Sequence, residues 1–219
     1  MRLRPALLLL FAAALLWSAI RPHDYFTWWL EVFPALIGVA LLLATRNRFP
    51  LTPLLCILLF LHALILIVGG HYTYALVPLG TWAQHAFGLA RNHYDRLGHL
   101  AQGFVPAIAA REIYLRRGVI RGRGWLFTLI VATCLAISAL YELLEWIVAI
   151  NTGDQSTAFL GTQGDVWDTQ EDMALALIGA IAAQLLLTRL HDRQLARLVE
   201  PACASRRPKS QRAPVEESR

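Results

Sequence analysis

Glu142 and Glu145 stand one helical turn apart on the same face of an apolar run, Trp125–Ile150, with Ser138 a further turn back. If that run is a helix ending at Ile150, the two carboxylates lie roughly 12 and 8 Å inside it at the helical rise. An ionised carboxylate at such depth costs several kcal/mol unless it is protonated, paired or bound to a cation, so two on one face must share something. A second acidic set opens the next apolar run, through Gly161-Thr-Gln-Gly-Asp-Val-Trp-Asp-Thr-Gln-Glu-Asp172. With helix beginning near Asp165, the residues Asp165, Asp168 and Asp172 fall at i, i+3 and i+7 on one stripe. A third set sits in Arg91-Asn-His-Tyr-Asp-Arg-Leu-Gly-His99, where Asp95, His99 and Gln102 share a face at i, i+4 and i+7.

Three kinds of chemistry fit these residues. The first is a divalent-metal centre, with His99, Asp95, Glu142, Glu145, Asp165, Asp168 and Asp172 as candidate ligands. Glu142, Glu145, Asp168 and Asp172 are then also candidate catalytic groups, because a metal can activate water against a lipid-linked substrate. Imidazole with carboxylate suits Zn²⁺ or Mn²⁺, and carboxylates alone suit Mg²⁺ or Ca²⁺. The spacing names no metal, since His-Glu-x-x-His does not occur. The second is a proton or cation path through intramembrane carboxylates. The third is structural: Arg91, Arg96 and the histidines neutralise the acids and pin an outer loop. Helix capping accounts for Asp165 and Asp168 in a first turn, but less well for Asp172 beside Met173-Ala-Leu-Ala-Leu.

The elements that position these groups follow from composition. Of 219 residues, 57% are apolar and 16% charged, with mean hydropathy +0.48. A water-soluble domain of that length needs more polar surface, so lipid must cover what water cannot. Runs long enough for a hydrocarbon core of about 30 Å cover approximately residues 5–20, 28–44, 51–68, 97–115, 125–150 and 173–190. The expected fold is an all-α, polytopic transmembrane bundle of about six spans in one domain, residues 1–190. The first run also resembles a signal-peptide core, but cleavage near its end would put Leu16 or Trp17 where a small residue is required, which favours a retained span.

Basic residues near span ends stay on the cytoplasmic side. With the N-terminus inside, all of the twenty except Arg21, Arg91 and Arg96 are cytoplasmic. Both termini are therefore expected in the cytoplasm, and the acidic and imidazole groups at the outer face of a bacterial inner membrane. Residues His71–Arg96, too polar to cross and rich in aromatics, are expected to pack at the outer surface. Arg111 and Glu112, beside Arg116 and Arg117, read as topology anchors with one local ion pair. Residues 191–219 read as a basic, disordered tail drawn to anionic headgroups rather than to nucleic acid. The three cysteines, Cys56, Cys134 and Cys203, have no disulfide or metal spacing.

From His71 to about Ala180 the chain resembles the YjdF-like inner-membrane proteins. The resemblance rests on His-Tyr-Thr-Tyr74, Val-Pro-Leu-Gly80, the Arg91–His99 segment, Gln-Gly-Phe-Val-Pro106 and Arg-Glu112, and continues through Ser-Ala-Leu-Tyr-Glu-Leu-Leu-Glu145, Gly161–Gln170, Asp-Met173 and Gly-Ala180. It implies a multi-span inner-membrane protein and supplies no reaction, ligand or catalytic residue. The acidic fifth span with Asp168, Asp172 and Gly179-Ala180 also resembles, over a shorter stretch, the VanZ-like proteins connected with glycopeptide resistance, an analogy that points to the cell envelope.

Overall fold

The computed structural model describes residues 3–153 and 157–206. Among them the chain is helical throughout, without strands: α1 Leu3–Ser18, α2 Tyr25–Thr45, α3 Pro53–Tyr72, a 3₁₀ turn Tyr74–Leu76, α4 Pro78–Phe87, α5 Tyr94–Arg117, α6 Arg123–Thr152, α7 Thr157–Leu160 and α8 Asp168–Arg206. Local chemistry sets the boundaries. Asp24 caps α2 by accepting from Thr27 N at 2.7 Å, and that bond holds its carboxyl below the usual range. Thr52 caps α3, with Pro53 following at the position where a missing N–H costs nothing. Gly88 and Gly118 take the left-handed conformation that ends α4 and α5.

Helices α2, α3, α6 and α8 are long and apolar enough to cross a bilayer, and α1 is a shorter apolar helix. In α6 the exposed residues Leu140, Leu143, Leu144 and Ile147 form a lipid-type face, while Ile130, Cys134, Ser138 and Glu142 recur every fourth residue on the buried one. Helix α5 is more polar, and it is covered by protein instead, packing on α8, α6 and α3. Its seam with α8 is set by glycine. A Cβ at Gly103 would collide with the Ala176 carbonyl, and one at Gly179 with that of Leu100. Small residues here let two backbones meet, the usual device where lipid competes equally for large apolar side chains. A second apolar cluster joins Phe11 of α1 to Trp28 and Val32 of α2 and Ala63 and Ile67 of α3.

The helices alternate in direction. At one end Arg4 reaches Leu51 O at 2.6 Å, Leu54 N meets Gln194 Oε1, and Glu112 meets Thr52. At the other, His23 N donates to His71 O, and Trp28 Nε1 to Ser18 Oγ. His71 is occupied there: Nδ1 lies 2.9 Å from Ser18 O and the ring packs on Trp17 and Tyr72. Residues 71–96 do form a folded cap, with Tyr74 and Val77 buried and Leu79, Trp82 and Phe87 of α4 exposed.

Three sequence expectations change. Helix α8 begins at Asp168, not near Asp165, whose Oδ1 instead accepts from Trp167 N at 3.0 Å in the preceding turn. The segment expected to be disordered from His191 is helical as far as it is described, to Arg206, with His191 and Leu195 buried; residues 207–219 lie outside the described residues. Finally, Glu112 forms the expected local ion pair, with Arg116, but Arg111 and Glu112 also belong to a buried network. Glu112 and His191 are both fully buried, at 0% exposure. Glu112 accepts from Thr52 Oγ1 at 2.7 Å and Arg116 Nη1 at 2.9 Å, and meets His191 Nε2 at 3.0 Å. Arg111 Nη1 lies 2.9 Å from His191 Nδ1 and can only donate, so the ring carries its proton on Nε2, facing Glu112.

Candidate functional site

At the end opposite Glu112, three helices bring ionisable groups together. His99 projects from α5, Glu142 from α6 and Asp172 from α8, all buried, and Asp95 stands one turn before His99. The two ring nitrogens of His99 face different partners. Nε2 lies 3.5 Å from Asp95 Oδ1 and 3.8 Å from Asp172 Oδ2, whereas Nδ1 lies 3.6 Å from Glu142 Oε1. One atom each of Asp95, His99 and Asp172 lies within 4.8 Å of the others. A transition-metal ion takes such atoms at about 2.0–2.2 Å, so separations below roughly twice that are the relevant range, and both Nε2 distances meet it.

Hydrogen bonding leaves the cluster incomplete. Among the described residues, His99 Nδ1, Glu142 Oε1, Asp172 Oδ1, Gln102 Oε1, Ser138 Oγ and Tyr141 Oη are buried without a hydrogen-bond partner. A buried polar atom left with no partner at all, water included, costs about 1–3 kcal/mol.

The other acids are accounted for differently. Asp168 pairs with the buried Arg91 guanidinium; Asp165 accepts from Arg91 at 3.3 Å and Arg96 at 2.7 Å; Glu171 pairs with Arg96. Arg91 also donates to Gly161 O at 3.0 Å, and the Gln163 side chain makes two hydrogen bonds with the Asn92 backbone. Together these bonds tie the segment before α8 across the start of α5. Outside the helices the charges adjust to match. The Trp167 N–H and the two arginines hold the Asp165 carboxyl below its ordinary value. Burial works against the charge on Arg91, but the hydrogen bond to Asp168 and the surrounding carboxylates outweigh it and raise its pKa. The acids proposed as one set thus fall into two groups that meet at Asp95: Asp165 and Asp168 with arginine, and Asp95, Glu142 and Asp172 around an imidazole, with Arg91 Nη2 also 3.9 Å from Asp95 Oδ2.

Glu145 takes a third position. It lines a cavity of about 160 Å³ together with Glu31, Tyr74, Asp95, His99 and Tyr141, and with His62 and Gln102. No Lys or Arg lines it. Glu31, only 3% exposed on α2, was not singled out from the sequence, nor were His62, Tyr74 and Tyr141. The signal for Glu31 was present: it is an acid inside the apolar run 28–44, and intramembrane acids are functional candidates by default.

A bundle of apolar helices whose most polar member is buried, with carboxylates and imidazole converging beneath one end, defines a polytopic α-helical membrane protein with an internal polar site. The chain belongs to the family described as "Predicted membrane protein (DUF2238)", which matches residues 3–193. It is 55% identical over 183 residues to a protein of Escherichia coli (strain K12) named "Inner membrane protein YjdF", covering 84% of this chain and 88% of that one. No solved structure matches it. The chain is an integral, multi-pass inner-membrane protein.

Proposed function

We propose that Asp95, His99 and Asp172 bind a divalent cation, and that the adjoining cavity admits the headgroup of a lipid-linked envelope substrate. The observation that carries this is the two-sided environment of His99. Nε2 faces two carboxylate oxygens while Nδ1 faces a third, the arrangement in which one nitrogen ligates and the other donates to a carboxylate that fixes the ring. Glu142 is then the residue that orients His99, and Glu145 and Glu31 are the carboxylates that line the cavity as bases toward a bound headgroup. Nitrogen with two carboxylates suits Zn²⁺ or Mn²⁺; the ion would polarise the substrate or supply hydroxide at neutral pH.

Thermal unfolding of the purified protein in detergent, with chelator and with each of Zn²⁺, Mn²⁺, Mg²⁺ and Ca²⁺, tests the cation. Wild type should gain about 2.7 kcal/mol at a hundredfold excess of a bound metal over its dissociation constant, and His99→Gln and Asp172→Asn should gain nothing. No gain with any of the four ions would sink the metal centre. The alternative is proton or cation movement, favoured by Glu31 and Glu145 lining a cavity that holds no Lys or Arg. In that case Glu145→Gln leaves a folded protein locked in one protonation state. A non-catalytic role accounts for Asp165, Asp168 and Glu171, whose charges are already met by arginine.

In this proposal α1, α2, α3, α5, α6 and α8 make six crossings with both termini cytoplasmic, so the site opens to the outer face and the basic tail meets anionic lipid. In a cysteine-free background, Val166→Cys should react in intact cells with a membrane-impermeant thiol reagent and Val119→Cys should not; both positions are well exposed. The reverse pattern would put the site in the cytoplasm.

A further inference from the structure

A second, larger hollow of about 440 Å³ runs between α1, α2 and α3, distinct from the carboxylate cavity and almost wholly apolar in its lining. Leu7, Phe11, Leu42, Leu59 and Phe60 are among its walls. The charged groups gather at one end, where Arg4 and Arg46 form the rim with Asn47, and His62 is a polar group further in. Both arginines are exposed, and neither faces a carboxylate at salt-bridge distance among the described residues. From the start of α3 to Leu66, at the far end, is roughly 20 Å at the helical rise, somewhat more than the half-thickness of about 15 Å that one acyl chain occupies in a hydrocarbon core of about 30 Å. Gly38 opens on the hollow: a Cβ built there meets nothing within 4 Å.

We propose that this hollow is a binding site for one anionic phospholipid, its phosphate held by Arg4 and Arg46 and one acyl chain laid between α1, α2 and α3. Guanidinium groups at an interface are the standard partners of phosphate oxygens, and the charge distribution selects the headgroup while the groove selects the chain. The basic end is the one that the arginine asymmetry assigns to the cytoplasmic leaflet, where anionic lipid provides the field. The site is separate from the outer cluster and from the tail, although Pro34, His62 and Leu66 form a wall common to both cavities.

The test uses full-length protein in neutral detergent, stripped of lipid and titrated with phosphatidylglycerol or phosphatidylethanolamine, with native mass spectrometry counting lipids per chain. Wild type should hold one phosphatidylglycerol at least tenfold more tightly than phosphatidylethanolamine. Arg4→Gln with Arg46→Gln should erase that preference, while Gly38→Phe, which fills the groove and keeps both arginines, should lower occupancy by either lipid at least tenfold. Leu42→Trp serves as a second groove-filling variant, and unfolding midpoints in lipid-free detergent confirm that all variants fold. Equal affinity of the wild type for the two lipids overturns the proposal. So does a preference that survives both groove-filling variants, since the lipid would then sit on the basic rim alone, and so does binding of inorganic phosphate as tight as that of the phospholipid.

Discussion

Arg91→Met is expected to lower the unfolding free energy in chelator by about 3–5 kcal/mol, because removing one partner of a buried pair leaves the other charge uncompensated. The buried carboxylate of Asp168 loses its guanidinium, and Asp165 and Asp95, which also face Arg91, are left beside it with only Arg96 to offset Asp165. The contact with Gly161 O is lost as well, so the segment tied across the start of α5 loosens. The contrast that makes the measurement decisive is Asp172→Asn. If Asp172 is a cation ligand, that change removes the metal-dependent gain while costing little in chelator, where wild type is also without metal. Chemical denaturation of the two variants in parallel separates them. A large chelator-independent cost for Asp172→Asn would merge the two groups of acids into one network.

Glu112→Ala should cost a similar 3–5 kcal/mol, at the other end of the molecule and without any link to metal. Thr52 donates to Glu112 from both its backbone N and its hydroxyl, Arg116 donates to it, and His191 is held against it by Arg111. Truncation would leave several buried donors unsatisfied and withdraw the contact that joins the start of α3 to α5 and α8. The same thermal or denaturant unfolding, run on Glu112→Ala in detergent, measures it. A loss below about 1 kcal/mol, the range of an exposed ion pair, would return Arg111 and Glu112 to the status of topology anchors.

How far the sequence reaches is clearest at Glu142 and Asp168. Both were candidate ligands on the strength of residue type and depth, and both proved to be buried. Their different partners were not legible, because Arg91 is 77 residues from Asp168 in the chain, and nothing in local periodicity says which of two nearby acids it meets. Spacing placed Asp95 and His99 on one face, and the structure keeps them within 3.5 Å. For Asp165 spacing failed: its side chain caps a turn outside the helix, so the stripe of three acids breaks after its first member. Glu112 was misjudged because a carboxylate next to several arginines at a span end looks like surface. His191, which buries it, belongs to a segment whose composition alone reads as a solvated tail.

By itself the sequence determined that the chain is a bundle of apolar helices in a membrane and which faces of α5 and α6 carry ionisable groups. Hydrophobic run length, helical periodicity and arginine placement are local properties, summed over a few turns, and need no knowledge of neighbours. Only the tertiary structure decided that α5 lies covered against α8, that Glu31 joins the cavity from α2, that His99 presents its two nitrogens to different carboxylates, and that Arg91 and Arg96 reach Asp165, Asp168 and Glu171 across the chain. Those outcomes depend on helix rotation and adjacency, fixed by backbone contacts such as Gly103 on Ala176 and Gly179 on Leu100. In a bilayer, lipid is as good a neighbour as any apolar side chain, so the choice of partner rests on shape and on the pairing of buried polar groups rather than on the hydrophobic pattern that sequence displays.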